Sequence, residues 1–183
     1  MHKKNQCYII ISFEYFYTFL LPLDDWVTDT QTGKKYIVLE TTTMDYNTNQ
    51  QTCKNIGGHL PEPRNEQENL FLNSLGSEMF TLGINDEEVE GQWVFDSDGS
   101  PLTWFSWAKF RDYPDAPNGG RNQNCAMMRR NFDSQHVGHR DQDWGDFWCN
   151  SKSQDQPKSL ICEQPAGESC MWNKKQCVRS LLI

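Results

Sequence analysis

No Cys-x-x-Cys pair occurs in the 183 residues, and His136 and His139 stand in a polar stretch without a cysteine motif beside them. That spacing argues against a thiolate metal site. No nucleophile elbow, phosphate loop, Ser-His-Asp order or metal-binding helix motif is present, which argues against an enzyme. An Asn-x-Ser/Thr sequon is also missing, so no N-glycan is expected. Neither an internal repeat nor a low-complexity tract appears, which disfavours a solenoid. Cations are scarce: 17 Lys plus Arg face 25 Asp plus Glu, for a net charge of −8. A nucleic-acid partner needs a clustered cationic face, so this balance excludes one and suits a cationic ion or a neutral ligand.

What is present is aromatic. Phe, Trp and Tyr make up 13% of a chain whose mean hydropathy is only −0.76, enough large side chains to pack a core despite the polar average. The length suits a single domain with tails. Residues 1–23 carry Lys3 and Lys4 ahead of an apolar, aromatic run from Cys7 to Leu23, the order of a secretory signal peptide. Glu14 interrupts that run, and no small-x-small cleavage site precedes Asp24. With Cys7 in the leader, Cys53, Cys125, Cys149, Cys162, Cys170 and Cys177 remain. That even set points to an oxidised, extracellular chain and admits many pairings in principle.

The pattern predicts a strand at Tyr36–Leu39 and a helix capped by Thr43 or Asp45 that runs through Asn55 to the Gly57–Gly58 stop. A second helix is predicted from the Asn65 cap, with Glu68 at the reciprocal position, to Leu75. From Met79 the text becomes short strands between turns: FTLGI, QWVFD, a DSDGS bend, LTWFSW, NCAMM, DFWC and SLICE. Two helices followed by antiparallel strands and long loops make an α+β domain.

The pieces CKNIGGHL, FTLGINDEEVEGQW, DGSPLTWFSW, a Pro-Asp or Pro-Asn loop, NCAMM, DWGDFWC and SLICE stand in one order from Cys53 to Cys162. In that order they resemble the C-type lectin-like domain. The resemblance implies the α+β C-type lectin-like fold over 24–165, stapled by Cys53–Cys162 and Cys125–Cys149. Lys35 stands where longer members carry a cysteine, so the extra N-terminal bridge is missing. Cys170 and Cys177 remain, and their pairing would close a small loop in the tail, 166–183.

Sugar-binding members hold a calcium ion among hard oxygens, and the sugar's vicinal hydroxyls complete its shell. Two proline motifs match that site, Tyr113-Pro114-Asp115 and Ala116-Pro117-Asn118. Either Asp115 or Asn118 would be a ligand, and a cis proline would aim the flanking oxygens inward. Gln123 stands where a glutamate is expected. After Trp144, Gly145 removes an asparagine ligand and Asp146 remains. So few ligands imply a weak or empty calcium site. Asp86 and Glu90, with Asn124 and Gln123 as neutral partners, match an auxiliary calcium position, although acids before a glycine also read as a solvated turn.

The resemblance thus implies a secreted lectin that binds glycan on a microbe or cell through Asp115 or Asn118, Gln123 and Asp146. Tyr113, Trp144 or Trp148 would stack on a sugar ring. The other reading is a protein-binding module that uses the 129–142 loop, where Arg129, Arg130 and Arg140 sit with two histidines on an otherwise acidic chain.

Overall fold

A computed structural model describes residues 8–12, 18–22, 26–40, 43, 45–75, 79–110, 114–129, 144–150 and 159–167, the first two stretches as backbone alone. Those two, inside the expected leader, are strands β1 (Tyr8–Ser12) and β2 (Thr18–Pro22), paired antiparallel with each other.

Strands β3 (Val27–Thr28), β4 (Lys35–Glu40) and β9 (Ser159–Gln164) form one antiparallel sheet, in which Ile37 faces Cys162. Early and late chain therefore meet in a single ladder. A second antiparallel sheet has the order β6 (Val94–Phe95), β5 (Met79–Asn85), β7 (Cys125–Arg129), β8 (Trp144–Phe147).

The helices form where their caps are. α1 (Tyr46–Asn55) starts because the Asp45 carboxylate accepts from Thr48 N, satisfying a first-turn donor with no partner inside the helix. It ends at Gly57, φ +79°, and Gly58, where an added Cβ would meet the Glu163 carbonyl. α2 (Glu66–Ser74) starts at Asn65, whose side-chain oxygen takes Glu68 N at 3.0 Å. Leu72 of α2 is fully buried with Phe80, Leu82 and Trp144, while α1 lays Tyr46 and Cys53 against Ile37, Leu160 and Phe147.

Both expected bridges in the described region are present, Cys53–Cys162 and Cys125–Cys149. The first spans 109 residues, which in the chain-entropy account destabilises the unfolded chain by roughly 4–5 kcal/mol. Cys170 and Cys177 lie outside the described residues.

Beside the Cys53–Cys162 bridge sits a buried charge cluster. The Lys34 ammonium lies 2.8 Å from both Glu68 Oε2 and Glu163 Oε1 and donates to the Glu62 carbonyl, tying α2 to β9. Burial works against its charge, yet the two carboxylates outweigh that and raise its pKa above the ordinary lysine value. Glu62, also buried, accepts from Ser97 N, Ser97 Oγ and Arg64.

Two strand expectations are corrected. LTWFSW forms no strand; Trp107 makes one isolated bridge to Trp144, and Pro101 just before the segment makes another to Val94. Its indoles pack edge-on instead: Trp104 and Trp107 lie 5.5 and 5.6 Å from Trp144. The last strand of the second sheet starts two residues earlier than DFWC, at Trp144, because Met127 and Met128 pair with Gly145 and Trp144.

Candidate functional site

The ladder between β7 and β8 sets Asp146 opposite Ala126. Its carboxylate is nearly buried, and two backbone donors converge on one oxygen: Asn118 N at 2.9 Å and Gly119 N at 2.6 Å, both to Oδ2. These bonds place the Ala116-Pro117-Asn118 motif on Asp146, and its Ala116–Pro117 peptide is cis. Asn118 turns its amide nitrogen away, to the Pro114 carbonyl at 2.8 Å. Asp115 is held elsewhere: it is exposed and accepts from Phe110 N at 3.1 Å. Gln123 closes the 3-10 turn at Gly120–Asn122 through its backbone N–H to Gly120 O. Its side chain lies over Gly119 so closely that a Cβ there would collide with it.

This donor set does not fit the sugar-holding calcium of the sequence expectation. Asp146 Oδ2 already receives two N–H groups, Gly145 and Ala116 offer no side-chain oxygen, and Gln123 is neutral. Among the described residues this leaves one carboxylate oxygen and neutral amide oxygens, a poor start for a calcium shell of six to eight oxygens.

The auxiliary position is different. Asp86 is 3% exposed, whereas Glu90, before Gly91, is exposed as a solvated turn residue would be. Its Oδ2 accepts from Gly91 N at 2.7 Å, and its own N–H reaches the Asn124 carbonyl at 3.0 Å. Asp86 Oδ1 and Asn124 Oδ1 are both buried and accept from no donor. Orphaned buried acceptors are rare and costly. Burial raises the Asp86 pKa, the Gly91 N–H offsets part of that, and the charges of Glu90 and Asp146 push it further up. Among the described residues no ion pair reaches Asp86, Glu90 or Asp146. Two bare oxygens in negative surroundings fit a hard cation, with Glu90 on the exposed side.

The fit is a loose one. Among the described residues, the His, Cys, Asp or Glu ligand atoms that gather within 4.8 Å are those of Glu87, Cys125 and Cys149. The two sulfurs are bonded to each other, so that trio offers no thiolate. A cation at Asp86 would complete its shell with water.

The aromatic expectations separate. Trp144 is fully buried and donates its indole N–H to Asn69 Oδ1 at 2.8 Å, so it cannot stack on a sugar. Trp148 is 54% exposed and can. Tyr113 and the 130–142 part of the basic loop lie outside the described residues. Sequence reasoning missed the amide cleft formed by Asn47, Glu87, Asn122, Asn124, Cys149 and Asn150. The Asn122-Gln123-Asn124 run was its one visible signal.

The profile of the Lectin C-type domain family matches residues 42–164. A C-type lectin domain family 3 member A homolog from Xenopus laevis is 32% identical over 136 residues, 71% of this chain and 60% of that protein. A mannose-binding protein from Gallus gallus is 37% identical over 78 residues, 42% of this chain and 28% of its own length. The chain thus spans less than two thirds of either relative. Among solved structures, the C-type carbohydrate-recognition domain of cow CD23, determined with a GlcNAc2Man3 oligosaccharide, superposes with TM-score 0.59. It is 23% identical and covers 78% of this chain and 95% of that one. A calcium-independent type II antifreeze protein superposes equally, TM-score 0.59, 22% identical, covering 78% and 93%. At these identities the structures share the fold alone.

Proposed function

Because the chain belongs to the C-type lectin domain family, we propose that it is a secreted glycan-binding protein whose long-loop surface takes saccharide with weakened or no dependence on calcium. The carrying observation is the Asp146 carboxylate, whose Oδ2 is occupied by the Asn118 and Gly119 N–H groups. In this role Asn118, Gln123 and Asp115 present polar groups to sugar hydroxyls directly, and Asp146 holds the loop in shape. The role is binding, not catalysis.

Calcium keeps a structural part. Asp86, Glu90 and Asn124 would hold it, and its charge would relieve the two bare buried oxygens and tie the 86–91 turn to β7. Affinity on the order of 10⁻⁴–10⁻³ M, the range of extracellular modules, suits so few charged ligands.

The names of two similar proteins, one a mannose-binding protein and one a carbohydrate-recognition domain determined with an oligosaccharide, support the glycan reading. The similarity in fold to a protein named a calcium-independent antifreeze protein supports the weakened dependence on calcium. Removal of residues 1–23 and secretion complete the proposal; among the described residues no helix is long and apolar enough to cross a membrane. A second reading, protein binding through the 129–142 loop without sugar, draws support from the failed principal calcium set. A glycan array run in calcium and again in EDTA tests both. Binding that survives EDTA is expected, and an array blank in both buffers would pass the function to the protein-binding reading.

A further inference from the structure

We propose that the cleft of about 230 Å³ between the start of α1, the 86–91 turn and the Cys125–Cys149 bridge is a saccharide subsite. This deepens the glycan reading and rests on it. The cleft is lined by Asn47, Glu87, Asn122, Asn124 and Asn150, with Cys149 as its one soft, less polar wall. Four elements far apart in sequence supply these groups: the first turn of α1, the acidic turn, the 3-10 turn with the entry to β7, and the segment after β8.

The side chains there are unspent. Asn47, Glu87, Asn122 and Asn150 are exposed, and their side chains make no hydrogen bond to other described residues. Asn124 completes the wall, its buried Oδ1 belonging with the Asp86 position. An asparagine amide brings two N–H donors and one acceptor oxygen, and a carboxylate brings acceptors alone. A sugar hydroxyl both donates and accepts, so the three exposed amides with one carboxylate complement vicinal hydroxyls.

Other ligand classes fit worse. A cation needs more charge than the single carboxylate of Glu87 provides. Phosphate or nucleic acid would find no Lys or Arg among the described residues of the wall, and an apolar molecule would strand the amides. The volume lies below the roughly 300 Å³ at which whole small-molecule sites begin. One ring of a longer glycan therefore matches, with the rest lying over the surface. Trp148, next in sequence to Cys149 and 54% exposed, is an exposed aromatic beside this wall along the chain, whereas Tyr46, next to Asn47, is buried.

The test uses the secreted full chain and the methyl glycosides of mannose, galactose and N-acetylglucosamine, read by saturation-transfer NMR and titration in EDTA. At least one glycoside is expected to bind without calcium. Asn122→Ala and Asn150→Ala should each weaken it about three- to tenfold, the loss of one or two neutral hydrogen bonds. Asn150→Trp, which fills the cleft, should abolish it, while Gln67→Ala on the exposed side of α2 should leave it unchanged. Thermal unfolding confirms that each variant is folded. Glycoside binding that survives Asn150→Trp would overturn the cleft and leave the glycan reading standing. No binding of any glycoside or arrayed glycan by the unaltered protein would overturn both.

Discussion

Apart from Asp29, which accepts from its own turn, the described residues bury carboxylates in two places and treat them in opposite ways. Beneath the β4–β9 ladder, Glu68 and Glu163 share the Lys34 ammonium, and Glu62 is met by Arg64 and Ser97. In the long-loop region Asp86 and Asp146 are met only by backbone N–H groups, and one Asp86 oxygen receives nothing. The first cluster carries its counter-charge in covalent form and is complete when the chain folds. The second is left negative among the described residues, where a bound cation, or at low pH a proton on Asp86, would neutralise it. A domain whose body is finished and whose loop end is electrostatically open can be tuned at that end without losing its fold.

Removing the internal cation should have the largest effect. Lys34→Met strands two carboxylates with 7% and 2% side-chain exposure, at a cost of about 3–5 kcal/mol in urea unfolding. Adding Glu163→Gln to that variant should recover part of the loss; recovery of none would mean that the loss comes from Glu68 and the Glu62 carbonyl and not from Glu163. At the other end, Asp146→Ala leaves the Asn118 and Gly119 N–H groups without their acceptor. A cost of about 2–3 kcal/mol is expected, with faster proteolysis near Asn118 and little change around Cys53.

Calcium should stabilise the open end by about 1.4 kcal/mol when present at ten times its Kd, and Asp86→Asn should remove the gain. The pH dependence in EDTA carries the sign. Because the folded pKa of Asp86 is raised, its contribution is fully present below the ordinary carboxylate value and is lost as pH rises through the folded one. Asp86→Asn should flatten that limb, and calcium should mask it. The smallest effect belongs to Asp98, whose pKa is lowered to about 2, first by Ser100 and then by Arg64. Its contribution, present above the ordinary value, is lost as pH falls towards about 2. Asp98→Asn should therefore trim only the acid limb of the stability curve, since the group is half exposed.

The legible parts of this molecule were those fixed by short-range chemistry. Asp45 and Asn65 announced their helices because a cap is a contact across three residues. The order of cysteines and strand fragments carried the fold and both described bridges through the family resemblance. LTWFSW misled because aromatic, β-branched text reads as a strand, whereas here indole packing on Trp144 replaced ladder pairing. The start of β8 was hidden by Gly145, a weak strand former. The Lys34–Glu68–Glu163 cluster was invisible for a topological reason: its members come from three distant segments that meet only when early and late chain pair. An acid inside the apolar run SLICE was the one hint. Asp86 was legible as a candidate ligand, but nothing in the acidic run NDEEVE told which acid was buried.

Calorimetric titration of calcium into the unaltered chain and into Asp86→Asn tests the central claim most directly. The account predicts one weak ion per chain, with Kd on the order of 10⁻⁴–10⁻³ M, and none in the variant. Two ions per chain, or uptake that Asp86→Asn leaves unchanged, would contradict it by showing that Asp146 gives up its backbone donors and rebuilds the principal site.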